Sequence, residues 1–292
     1  MSLEVVGSIA KLREQLSRLR RAGTGIGLVP TMGALHAGHA ALIERARGES
    51  GQVVVSIFVN PLQFDRADDL QHYPRTLDAD VEMCRKLGVG IVFAPAAAEM
   101  YPVPPTSVIE VGPVGEQLCG RYRPGHFRGV ATVVMKLFQI VQPDRAYFGE
   151  KDAQQLAVIR RVVADLNVPV EIVGVPTVRE SDGLAMSSRN RRLSPAERVS
   201  ATALYRALGV ARERIAAGIT DAAEVKWAAA AAIPTNDSLK IEYLEIVGPQ
   251  DMQPVERIAG PVVAAGALWV GSVRLIDNVR CEPGVYQVQS PS

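Results

Sequence analysis

Two of the four histidines in this chain stand three residues apart, in Pro30-Thr-Met-Gly-Ala-Leu-His-Ala-Gly-His39. Imidazoles placed between a strand and the helix it feeds can donate to phosphate oxygens as charge builds in a transition state. The segment Met32, Gly33, Ala34, Leu35, His36, Ala37, Gly38 and His39 therefore reads as an anion loop, with Gly38 leaving room for a ligand. The helix start adds backbone N–H donors and the positive end of a dipole. Zinc would need a third ligand, and no HExxH string occurs, so no metal ligand is assigned.

Further polar residues gather where strands are expected to end. Asn60 and Gln63, in Asn60-Pro-Leu-Gln-Phe64, offer uncharged donors and acceptors suited to a hydroxy acid, and taken alone they suit a loop cap equally well. Arg121-Tyr-Arg-Pro-Gly-His-Phe-Arg-Gly129 reads as an anion site or a solvated basic loop. In Phe148-Gly-Glu-Lys-Asp-Ala-Gln-Gln155, Gly149 admits a ligand to the backbone and Lys151 can neutralise phosphate. Asp152 there can accept from a ribose hydroxyl or support a metal-bound water, and Gln154 and Gln155 fall in a first helical turn. Met186-Ser-Ser-Arg-Asn190 brings two hydroxyls and a guanidinium, apt for a triphosphate. No GxxxxGK[ST] loop is present, and Gly23, Gly25 and Gly27 fall before and within a strand, so they read as turn and packing glycines.

These groups need a scaffold that lines them up. Strands are expected at 25–30, 53–59, 90–94, 107–111, 146–148 and 170–175, with helices starting after Ser8 and covering about 40–46, 77–87, 130–141 and 151–166. Such alternation predicts an α/β fold: a Rossmann-like parallel sheet covered on both faces. After about Val178 the texture changes. Ser194-Pro-Ala-Glu197 forms a capping box that opens a long Ala-rich helix, a second helix runs past Trp227 to Pro234, and runs at 240–247, 262–270 and 273–276 follow as strands. A smaller α+β C-terminal domain is expected, giving domains 1–178 and 179–292.

Composition bounds the rest. A chain of 292 residues with 48% hydrophobic content has enough apolar material for one large or two unequal domains. Net charge of +1 and 5% aromatics argue against a nucleic-acid-coating surface or a stacking platform for single strands. Three scattered cysteines without CxxC pairing fit a reducing cytoplasm, and neither a signal peptide nor a membrane-spanning run is expected.

Taken together, the chain resembles the pantothenate synthetase (pantoate–β-alanine ligase) family of the HIGH-type nucleotidylyltransferases. The resemblance runs through PTMGALHAGH at 30–39, FVNPLQF at 58–64, YPRTLDAD at 73–80, RPGHFRGVATVV at 123–134, FGEKDAQQ at 148–155, MSSRNRRLSPAER at 186–198 and RLIDN at 274–278. It implies ATP-dependent condensation of pantoate with β-alanine through a pantoyl adenylate, with Mg²⁺ accompanying ATP through its phosphates. It further implies ATP contacts at Met32–His39, Gly149, Glu150, Lys151, Asp152, Val178, Met186, Ser187, Ser188 and Arg189. His36, His39, Lys151, Ser187, Ser188 and Arg189 would serve adenylation, while Gln63, Gln155 and Asn60 would serve pantoate, Gln63 also lying near β-alanine. A homodimer, and a C-terminal domain acting as a lid, are implied as well. Two rival readings are another HIGH-type adenylylating enzyme, against which the lack of a KMSKS-like string argues, and a non-catalytic nucleotide- or RNA-binding protein.

Overall fold

Apart from Ser56, the run Val53-Val-Val-Ser-Ile57 is β-branched and apolar, which suits a strand buried on both sides. In the computed structural model, which describes residues 3–65 and 67–284, it lies inside a six-stranded sheet. Strands β1 (Glu4–Val6), β2 (Ile26–Thr31), β3 (Gln52–Ile57), β4 (Ile91–Phe93), β5 (Arg145–Gly149) and β6 (Glu171–Val175) follow the order β1-β4-β3-β2-β5-β6, and every pair is parallel. Helices α1 (Ile9–Arg21), α2 (Ala37–Glu49), α3 (Ala67–Gln71), α4 (Leu77–Lys86), α5 (Ala97–Met100), α6 (Cys119–Tyr122), α7 (His126–Val141) and α8 (Ala153–Asp165) complete this part of the chain.

The strand order has a direct consequence. β2 pairs with β3 on one side and β5 on the other, so chain progression reverses between β2 and β5. Ligands of open parallel sheets bind at that reversal, outside the carboxyl ends of the strands. Thr31 ends β2, Ile57 ends β3, Gly149 ends β5 and Val175 ends β6, all on one edge. Gly27 is a packing residue, because a Cβ there would press on Ser50 and the Tyr147 ring.

Two compact units are present: Met1–Gly115 with Gly120–Val178, and Glu116–Cys119 with Arg179–Ser292. Residues 116–119, expected within the first domain, group with the second unit, where Cys119 Sγ lies 3.2 Å from the Tyr243 hydroxyl and 3.6 Å from an Arg274 nitrogen. That second unit holds α9 (Pro195–Ala201), α10 (Ala203–Ala216) and α11 (Ala222–Ala231). Its antiparallel sheet runs β7 (Leu239–Val247), β8 (Val262–Val270) and β9 (Val273–Cys281) in that order. Leu204, Leu208 and Ile215 of α10 and Val225 of α11 bury themselves with Leu268 and Val270 of β8.

Several expectations need correction. Residues 107–111 form no strand: they lie without a ladder partner, Val108 is exposed, and Ile109 N–H donates to the Thr132 hydroxyl instead. β1 is absent from the expected strands, since three residues are too few to show periodicity and only their pairing with β4 defines them. The Ala-rich helix is two helices, parted at Thr202, whose hydroxyl donates to the Val199 carbonyl. α7 starts at His126 rather than near 130, because Gly125 takes a positive φ and turns the chain into the helix. The helix expected from Lys151 begins at Ala153, after a 3-10 turn over Glu150–Asp152.

Candidate active site

The loop after β2 is shaped by backbone conformations that most residues avoid. Gly33 (φ +82°) and Ala34 (φ +51°) are both left-handed. What holds them is Asp80 in the first turn of α4, a carboxylate only 3% exposed. It accepts from Ala34 N–H at 2.9 Å, Leu35 N–H at 2.8 Å and the Thr76 hydroxyl at 3.1 Å. Charge-assisted bonds of this kind are the stronger class, and they deliver the chain to His36 at a fixed angle. Sequence reasoning assigns Asp80 no role. One acid among several in α3 and α4 carries no local mark of the loop it clasps, which is supplied from 46 residues away.

His36 and His39 then cap α2 for each other. His36 Nδ1 accepts from Gly38 N–H at 3.1 Å, and His39 Nδ1 accepts from His36 N–H at 3.2 Å. An Nδ1 that accepts carries no proton, so both rings are the Nε2–H tautomer and present an N–H donor at their far ends. The rings stand 4.2 Å apart between centroids. Burial, and then the neighbouring His36, push His39 down to about 3, against a partial upward pull from Asp152. At neutral pH His39 is therefore an uncharged hydrogen-bond donor.

Across the sheet reversal, Gly149–Asp152 leaves β5 at the same edge. Open space surrounds the position a Cβ would take on Gly149. Asp152 and Lys151 both act electrostatically on His39, so the loop after β5 lies near the loop after β2. The two glutamines that follow diverge: Gln154 is buried and donates to the Val114 carbonyl at 3.0 Å, while Gln155 is half-buried. Val178 follows the end of β6 at this edge.

After β3, Asn60 caps a short 3-10 turn, Pro61–Gln63. α7 lies directly on this turn, and a Cβ on Gly129 would collide with the Leu62 carbonyl, so only glycine permits the contact. His126 Nδ1 lies 2.8 Å from the Gln63 carbonyl, and Arg123 reaches the same oxygen at 3.2 Å. Since that carbonyl can only accept, His126 is the Nδ1–H tautomer, opposite to His36 and His39. Burial and the adjacent Arg123 push His126 down to about 4. The basic segment 121–129 is thus partly a built scaffold around Gln63, with Arg123 also paired to Asp65 at 3.1 Å.

In the second unit, Ser187 caps a 3-10 turn over Ser188–Arg192 by accepting from Arg189 N–H at 3.2 Å. Asn190 Nδ2 donates to Glu180 at 2.7 Å and to the Ala185 carbonyl at 3.0 Å. Arg198 pairs with Glu180 at 2.7 Å and Asp182 at 2.6 Å. Arg179 clamps Asp277 with two bonds, at 2.6 and 3.0 Å, and stacks 4.2 Å over the Tyr205 ring. Met186, Ser187, Ser188 and Arg189 are all half-buried here, whereas Arg191 and Arg192 are exposed.

Among the described residues, no group of three or more His, Cys, Asp or Glu side chains could hold a metal ion. All three thiols are buried, and burial pushes the Cys84 thiol up to about 12, which suits packing rather than nucleophilic attack. No helix among them is long and apolar enough to cross a membrane.

A doubly wound parallel sheet that presents paired histidines, a lysine and an aspartate at its order reversal defines an α/β protein with a ligand site at the carboxyl ends of its strands. Comparison narrows the class. The family described as pantoate-beta-alanine ligase matches residues 4–280, and the chain belongs to that family. The chain is 51% identical to a pantothenate synthetase of Moorella thermoacetica, over 96% of this chain and 99% of that one. The crystal structure of pantothenate synthetase from Thermus thermophilus is similar with a TM-score of 0.91 and 48% identity, covering 96% of this chain and 100% of that chain. A Francisella tularensis pantoate-beta-alanine ligase, complexed with beta-gamma ATP and β-alanine, is similar at a TM-score of 0.78 and 33% identity, covering 95% and 97%. The chain is an enzyme: an ATP-dependent ligase that joins pantoate and β-alanine to form pantothenate.

Proposed function

We propose that the chain carries out both half-reactions through a pantoyl adenylate, and that the mutual cap of His36 and His39 is the observation that supports this. A pantoate carboxylate oxygen attacks the α-phosphorus of ATP and pyrophosphate leaves; the β-alanine amine then attacks the acyl carbon and AMP leaves. No enzyme nucleophile is needed, because the mixed anhydride is itself the activated species. The protein contributes positioning and stabilisation of developing charge. Two Nε2–H donors at a helix N-terminus suit phosphate oxygens, and His39 donates as an uncharged ring.

Met32–His39, Gly149–Asp152 and Val178 are assigned to ATP, with Lys151 neutralising phosphate charge. Met186–Arg189 are assigned to the same triphosphate on the strength of the family motif. Gln63, Gln155 and Asn60 are assigned to pantoate. Mg²⁺ arrives as part of the nucleotide substrate, held by phosphate oxygens. A homodimer in the cytoplasm completes the reading. Pyrophosphate exchange into ATP, followed with and without pantoate, tests it. Exchange that requires pantoate and needs no amine is expected; pantoate-independent exchange, or none, would overturn the adenylate route.

A further inference from the structure

The end of the Gln63 amide that faces the substrate decides what this residue can recognise. Amide orientation is fixed by neighbours of known polarity, and here they form a chain. The Gly129 carbonyl can only accept, so the Asn60 atom 3.1 Å from it is the NH2 nitrogen. Asn60 Oδ1 then faces the Tyr101 hydroxyl, which donates to it at 2.9 Å. Asn60 Nδ2 also lies 3.2 Å from Gln63 Oε1, which occupies the oxygen end of that glutamine. The nitrogen end, Gln63 Nε2, is left against Met32 Sδ at 2.8 Å. A thioether is a weak acceptor, easily exchanged for a better one.

Asn60 is 1% exposed, so turning it over would set oxygen against the Gly129 carbonyl and leave buried groups unpaired. Tyr101, which follows α5, belongs to no segment with an assigned role. Its ring is held in place by Phe58, 6.1 Å away between centroids, and by Lys136 Nζ, 5.4 Å over its face. Burial pushes its phenol up to about 12, so it remains a donor across the working pH range.

We propose that Tyr101 is a positioning residue that acts through Asn60 to hold Gln63 with its NH2 end toward an acceptor oxygen of the hydroxy-acid substrate. This rests on the assignment of Gln63 to pantoate. The order of bonds gives the relay a direction: phenol to amide oxygen, amide nitrogen to amide oxygen, and an exchangeable N–H donor for the ligand. Met32 Sδ marks the place that a substrate oxygen would take over.

Tyr101→Phe removes the hydroxyl and keeps the ring with its Phe58 and Lys136 contacts. The expected result is a KM for pantoate raised about 5-fold, the scale of one net hydrogen bond, with the KM for ATP and the melting temperature unchanged. Gln63→Ala and Gln63→Glu, measured alongside, should raise the pantoate KM further, the Glu variant most because it sets an anionic oxygen where the donor was. An unchanged pantoate KM in Tyr101→Phe, with a raised one in Gln63→Ala, would overturn the relay and leave the Gln63 assignment standing. Equal rises for ATP and pantoate with a lower melting temperature would show Tyr101 to be structural and overturn the relay as well. If none of the three variants altered the pantoate KM, the assignment of Gln63 itself would fall.

Discussion

The loop at 32–36 in the first unit and the loop at 186–190 in the second are held in different ways. The first hangs by its backbone N–H groups from one carboxylate buried to 3% exposure. The second hangs by side chains: Asn190 on Glu180, Glu180 on Arg198, Arg198 on Asp182, with Arg198 and its partners about 27–40% exposed. A buried carboxylate with three donors keeps its geometry in salt, whereas half-exposed ion pairs are screened and individually weak. The contrast suits a rigid cradle in one unit and an adjustable loop in the other.

That contrast can be broken most forcefully at the cradle. His39→Ala and Lys151→Ala should each lower the adenylation rate about 10²–10³-fold, the scale for losing one preorganised donor at a developing charge, with the far-UV dichroism unchanged. Near-normal pantoate-dependent pyrophosphate exchange in both would remove these residues from the chemistry. Asp80→Asn keeps the side-chain shape and loses the charge. It should destabilise the fold by about 1.5–3 kcal/mol and slow adenylation at saturating substrates, since Ala34 and Leu35 lose a charged acceptor. A denaturant midpoint and kcat equal to the parent's would mean that the left-handed loop needs no clasp.

Acid should separate the two units. All four histidines lie in the first, at 36, 39, 72 and 126. His126 is pushed down to about 4 in the folded chain and takes its ordinary value near 6.5 once unfolded. The unfolded state therefore binds the proton first, and the stability this gives is complete above about pH 6.5 and lost as pH falls toward 4, by at most about 3 kcal/mol. His39, pushed down to about 3, adds to the loss in the same direction. In the second unit the Asp182 carboxyl, held below its ordinary value first by the Arg198 hydrogen bond, stays charged through this window. Hydrogen exchange between pH 6.5 and 4.5 should show protection falling around α2 and α7 before β7–β9, and His126→Gln should flatten the trend. The smallest effect is expected at the adjustable loop: Asn190→Ala should raise the KM for ATP a few-fold and leave adenylation at saturating ATP almost unchanged.

The legibility of these features follows their range. β2, β3 and β5 are readable because burial on both faces forces a continuous apolar run. Ser194 and Glu197 announce the α9 cap because both partners lie within four residues. The segment 107–111 looks like a strand for the same local reasons, but strand formation needs a neighbour, and within the described residues it has none. Asp80, Tyr101 and Gly129 stay silent because each acts on a partner between 41 and 69 residues away.

The sequence alone determined which groups are available: two histidines at a strand-to-helix junction, amides after the next strand, Lys151 and Asp152 after a later one, and an alternation that makes the sheet parallel. It also placed those junctions on one edge, since parallel strands share a carboxyl end. Only the tertiary structure decided their states. It set the tautomers of His36 and His39 through reciprocal capping, the opposite tautomer of His126 through the Gln63 carbonyl, and the polarity of Gln63 through Tyr101 and Asn60. Protonation and amide orientation are fixed by whichever atom lies within about 3 Å: for His36 and His39 it is a near neighbour in sequence, whereas for His126 and Asn60 the folded chain brings it from 41 to 69 residues away.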